Sequence, residues 1–253
     1  MNVFSSILDR RKAIGFLAAI VIIIGILGLV NIINSIPETY YYEARLPENN
    51  TRDTRFTIAG VNDANITISF IDEPGLWYRM ELTHYTSGKR HSVENVTTPS
   101  FLPLRVQVTS VTPLKTINIV LGTDAVHSLY ISGSNLNTIV TLDNGAKISG
   151  SRCRFYGTGI FRFIITENIN YTTEGMDVEV GDFFLNEESP ELVILDIDLP
   201  AGMNGHLSSQ NTTFIHNDWE INYGDEWGTV SIDEPLVDIE IYHAQSVIAD
   251  LRT

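Results

Sequence analysis

The chain has 253 residues and a formal net charge of −15. That length fits one or two domains beside a special segment, and the negative field argues against nucleic acid, whose binding needs Lys and Arg to displace counterions. A single cysteine, Cys153, excludes an intrachain disulfide and a four-cysteine zinc site.

Residues 1–12 end in Arg10-Arg11-Lys12. Residues 13–33 carry no charge and one strongly polar side chain, Asn31. At about 1.5 Å per residue such a helix spans roughly 30 Å, the thickness of a bilayer's hydrocarbon core. The pattern predicts a transmembrane helix over 13–33 acting as an uncleaved signal anchor. The basic flank places a cytoplasmic tail at 1–12 and the rest of a single-pass cell-membrane protein outside. Lys12-Ala13 before the apolar run resembles the processing site of archaeal pilins and archaellins. A chain cut before Ile14 would then be a filament subunit.

Past Pro37, Tyr40-Tyr41-Tyr42 reads as a first strand or an interfacial aromatic belt. The stretches 55–59, 66–71, 76–82 and 104–108 alternate apolar and polar residues or are β-branched, and Gly, Pro, Asn and Asp bound them. They predict a β-sandwich-like, membrane-proximal domain over 34–115 with Trp77 in its core. Charge then changes: 34–115 holds 8 basic and 9 acidic residues, whereas 116–253 holds 5 and 21. Short apolar runs punctuated by Gly, Ser and Asn fill 116–253. They fit an acidic β-solenoid, in which each rung buries its face on its neighbours, or a second sandwich. The hairpin-like Asp143-Asn144-Gly145 favours the sandwich. Fold class is therefore all-β after an N-terminal helix.

The block 195–202, Leu-Asp-Ile-Asp-Leu-Pro-Ala-Gly, is a strand closing on Leu-Pro-Ala-Gly. With the Ser-Gly-Ser and Asn-Gly turns upstream and Val237-Asp238-Ile239-Glu240-Ile241 downstream, it resembles the adhesin-like and "toast-rack" β-helix families. The resemblance covers 116–253. It implies an exported or tethered β-solenoid, here of an archaeal surface protein, and brings no catalytic or ligand residue with it. The lack of disulfides suits a cell that does not cross-link its surface proteins.

Five Asn-x-Thr sequons, at Asn49, Asn65, Asn95, Asn170 and Asn211, are candidate glycosylation sites on an exported chain. The six histidines lack metal-ligand spacing, and Cys153 lies in an alternating run as a buried thiol. Asp196 and Asp198 share one strand face, and Asp225-Glu226, Asp233-Glu234 and Asp238 with Glu240 follow. Calcium could use such oxygens, but no calcium-loop motif is present, so no cofactor is expected. Trp219, Tyr223 and Trp227 could stack on a sugar or cap the fold. No nucleophile elbow, dinucleotide fingerprint or phosphate loop occurs. The expectation is a structural, adhesive or envelope-associated protein without catalysis, partnered by an envelope polymer or surface protein. A carbohydrate-binding or carbohydrate-active protein is the other reading.

Overall fold

The computed structural model describes residues 3–34, 36–48, 53–86, 90–96, 104–143, 145–148, 152–166, 169–171, 175–181, 190–199, 205–209, 212–217, 220–222 and 237–252. It divides into two units. Residues 1–38 with 85–89 form one, and 39–84 with 90–253 form the other.

The first unit contains the helix α1 (Val3–Asn34). Its side chains are described over 15–30 and at Ile32, where Phe16, Leu17, Ile22 and Leu29 are exposed. Crossing a bilayer takes about 20 consecutive apolar residues. Among the described residues no helix is long and apolar enough to do so. The expected transmembrane helix over 13–33 is corrected accordingly: the described residues form an all-β fold with one helix, and the anchor and single-pass topology drawn from that span lose their basis.

The second unit begins with β1 (Glu38–Arg45), β2 (Thr54–Asn62), β3 (Asn65–Ile71), β4 (Leu76–His84) and β5 (His91–Val96). Next come β6 (Leu104–Ser110), β7 (Leu114–Gly122), β8 (His127–Leu142), β9 (Lys147–Ile148) and β10 (Arg152–Ile165). Then follow β11 (Asn170–Tyr171), β12 (Met176–Val180), β13 (Leu192–Asp198), β14 (Gly205–Ser209) and β15 (Thr212–Asn217). The chain ends in β16 (Glu220–Asn222), β17 (Val237–Ile241) and β18 (Val247–Arg252).

Pairing is parallel through most of the sheet, so the fold is a β-solenoid and not a sandwich. One face runs β5-β6-β2-β8-β10-β12-β17-β14-β16, and the other runs β1-β4-β7-β3-β8-β10-β13-β18-β15. β8 and β10 are long enough to turn the corner and serve both faces. Antiparallel pairs, β4 with β7 and β5 with β6, occur at one end. Residues 54–122 therefore stack as rungs onto 127–142. The sandwich expected over 34–115 and the boundary at 115/116 are not seen, because β2 and β3 pair directly with β8. No hairpin joins β8 to β10 across the Asp143-Asn144-Gly145 sequence, since the two strands run parallel; Asn144 itself lies outside the described residues.

Alternation explains the core. In β10 the odd positions Cys153, Phe155, Phe161 and Phe163 are buried while Arg154, Tyr156 and Arg162 point outward. In-register pairing then lines up buried residues from rung to rung. On one face the inward row is Val108, Ile58, Ile131, Phe155, Val180 and Ile241. On the other it is Ile119, Ile68, Val140, Phe163, Leu195 and Ala249. Large rings sit beside smaller aliphatics in both rows, which lets layers interdigitate without voids. Trp77 is buried, as its apolar strand context predicts.

Two rungs are out of chain order. β2 lies between β6 and β8, and β17 lies between β12 and β14. On the other face β18 likewise separates β13 from β15.

Candidate functional site

The same register that aligns the core aligns the outward side chains. On the first face one outward row reads Arg105 and Arg55, directly paired, then Ser128. Beyond it come Arg152, Asp177, Asp238 and His206. The next row reads Gln107, Thr57, Tyr130, Arg154, Glu179, Glu240 and Ser208. Charge is thus largely sorted along the stack, with four arginines on one half and four carboxylates on the other, Glu94 beside Gln107 on β5 being an exception at the basic end. The halves meet where Arg152 Nε lies 3.2 Å from Asp177 Oδ2 and Arg154 Nε lies 3.0 Å from Glu179 Oε2. At that junction Tyr130 and Tyr156 form an edge-to-face pair, centroids 5.4 Å apart. Tyr156 donates its hydroxyl to Glu179 Oε1 at 2.5 Å.

Each half perturbs groups in the direction of its own sign. Burial, and then the charges of Arg105, Arg154 and Arg152, lower the Arg55 guanidinium below its ordinary pKa. Burial, the hydrogen bond to Glu240, and the charges of Glu240, Glu179 and Asp238 raise the Tyr242 phenol. Neither Arg55 nor Arg105 has an ion-pair partner among the described residues. Arg105 Nε is buried and makes no hydrogen bond there. The acidic half is partly engaged. Asp238 Oδ1 meets His206 Nδ1 at 2.8 Å, and Glu240 Oε2 accepts from Tyr242 at 2.8 Å.

The second face disposes of its charge differently. Asp196 and Asp198 do share one outward face of β13, but Arg252 takes them up. Its Nη2 lies 2.8 Å from Asp196, its Nε 3.5 Å from Asp198, and its Nη1 binds Asp250. Arg162 adds a contact of 3.6 Å to Asp196. Among the described residues no three His, Cys, Asp or Glu side chains converge as a metal site would require. Asp225, Glu226, Asp233 and Glu234 lie outside the described residues, as do Trp219, Tyr223 and Trp227.

A second polar centre joins β1, β4 and β5. His84, fully buried, and His91 stand on either side of the 85–90 connection. His84 Nε2 lies 2.8 Å from His91 Nδ1, and His91 Nε2 lies 2.6 Å from the Tyr42 hydroxyl. Thr112 Oγ1 is 3.4 Å from His84 Nδ1, and Tyr40 packs edge-on against the His91 ring at 4.6 Å. With the Tyr42 hydroxyl donating to His91, and His91 to His84, every nitrogen finds a use. Sequence spacing alone missed this pair. Its signal was two histidines bracketing one strand connection. His127 is buried between Thr54 Oγ1, 2.6 Å away, and the Gly122 carbonyl, 2.8 Å away. His243 is exposed, and the His216 side chain lies outside the described residues.

The sequons fall unevenly. Asn65 on β3 is exposed, but its Oδ1 accepts from Asn137 at 3.1 Å. Asn95 on β5 accepts the Tyr78 hydroxyl at 2.8 Å. Asn170 lies in β11, its side chain outside the description, and Asn49 and Asn211 lie outside the described residues. Cys153 is buried and free, and burial pushes its thiol up to about 12.

No family model and no curated protein matches the sequence. Among solved structures, a candidate cell adhesion protein from Clostridium sporogenes ATCC 15579 is similar in fold, with a TM-score of 0.51 at 10% identity. The match covers 86% of this chain and 100% of that one.

Proposed function

We propose that this chain is an extracytoplasmic structural or adhesive protein that works by presenting its outward sheet faces to other molecules, and that no reaction is catalysed on them. The observation that carries the reading is the rung register, which turns single outward residues into rows of charge and aromatic surface. Such rows suit recognition of an extended partner, such as an envelope polymer or another surface protein, better than chemistry at one point. Arg252, His206 and Tyr242 support it too, because the carboxylates they hold are engaged with side chains of the sheet itself. The fold's likeness to a candidate adhesion protein agrees with this reading. Glycosylation at exposed Asn65 is part of the proposal.

Two measurements test it together. Protease added to intact cells should remove a tag at the C-terminus, and deletion of the gene should reduce attachment to the cell's own envelope material or to neighbouring cells. A tag that stays protected refutes the location, and unchanged attachment refutes the adhesive role.

A further inference from the structure

The sorted charge on the first face is self-complementary. Adjacent like charges on paired strands, such as Arg55 beside Arg105, weaken a sheet unless something neutralises them. Within the described residues neither arginine forms an ion pair, and the carboxylate on that half, Glu94 of β5, stands opposite Gln107. The acidic half presents the opposite excess one stack-length away. A two-fold axis parallel to the strands, placed near the Arg152–Asp177 junction, reverses the stacking direction. It lays the basic half of one copy over the acidic half of the other. An axis along the stack would oppose like charges instead.

We infer that the chain forms a symmetric dimer through this face, with Arg152 and Arg154 of each copy over Asp177 and Glu179 of its partner and Arg55 over the partner's β14, one strand from Asp238 and Glu240. A second copy suits both halves at once, since Asp238 and Glu240 have only His206 and Tyr242 as partners and keep their negative charge uncompensated, whereas an anionic ligand would meet the basic half alone. Seven strands at about 4.8 Å and five residues at about 3.3 Å give a patch of roughly 34 by 17 Å. Two such patches bury on the order of 1,100 Å² together, near the lower bound for a specific interface. The contact is therefore reversible and salt-sensitive. Tyr130 and Tyr156, beside the axis, supply the aromatic centre that such interfaces concentrate their binding on.

The experiment is sedimentation equilibrium on the full chain, in low and high salt. The dimer is expected at low salt, with dissociation at 1 M salt, where the screening length falls to about 3 Å. The variants Arg55→Glu/Arg105→Glu and Asp238→Arg/Glu240→Arg should each be monomeric, and an equimolar mixture should restore a dimer. That rescue shows both variants are folded. A wild type monomeric at all concentrations overturns the inference. So do variants that dimerise as tightly as the parent, which is also what association through α1 would give. If either variant loses its circular-dichroism β signature, Arg55→Gln/Arg105→Gln replaces it and should weaken the dimer at least tenfold. An unchanged constant sinks the idea. The result is independent of what the protein adheres to, so the two proposals fail separately.

Discussion

His127, held in the core by Thr54 and the Gly122 carbonyl, shows how a buried structural residue can set a pH limit. Its ring is fully buried, and burial lowers its pKa from 6.5 to about 4. The unfolded chain therefore takes up the proton first. Stability from the neutral ring is complete above pH 6.5 and drains away as pH falls from 6.5 towards 4, by about 3 kcal/mol in all. Urea midpoints for the wild type and His127→Gln at pH 7.5 and 4.5 should therefore converge, with the gap shrinking by about 2–3 kcal/mol. A gap that does not move with pH would contradict the assignment. Cys153 gives a complementary check. With its thiol up at about 12, iodoacetamide at pH 8 should leave the native chain unmodified and label it only in denaturant.

At the level of elements, the corner between faces is the demanding point. A Cβ on Gly133 would stand 1.8 Å from the Val61 carbonyl oxygen, and one on Gly157 would stand 1.8 Å from the Gly133 oxygen. Gly157 also has φ +149. Rungs can approach there only without side chains, so Gly157→Ala should cost about 3 kcal/mol or more. Gly60, with φ +66 but open space around its Cβ position, should cost only about 1 kcal/mol when changed to Ala. Thermal melts of the two variants separate crowding from backbone preference. The sequence displayed these glycines as turn signals, and it displayed the alternation of β10 and the sharing of one face by Asp196 and Asp198. It could not show that Ser132–Asn135 and 157–159 are corners inside continuous strands. Nor could it show that β8 pairs with β10 in parallel, because register is a contact between residues far apart in the chain. The charge rows and the His84–His91 contact stayed hidden for the same reason. Arg55 and Arg105 lie fifty positions apart in sequence and side by side in the sheet.

For the whole molecule, the out-of-order rungs decide what can be removed. Among the described residues, β14 and β15 reach the rest of the sheet only through β17 and β18. Deleting 237–253 should therefore undock residues 205–217 as well, not merely trim an end. Limited proteolysis of the truncated chain should cut at or near 199–204, and a fragment as resistant as the full chain would refute this. A solenoid with rungs in chain order would shorten by one rung and keep the remainder.

The late placement of β17 and β18 also has a meaning in time. A chain that emerges from the ribosome or a membrane pore in order can zip rung on rung only as far as β13. β14 and β15 must then wait, each with an edge unpaired, until 237–252 arrive and slip between strands already made. Assembly is thus closed by β17 and β18 like a keystone. The interval before closure is when the chain is most exposed to proteases and to pairing with its own copies.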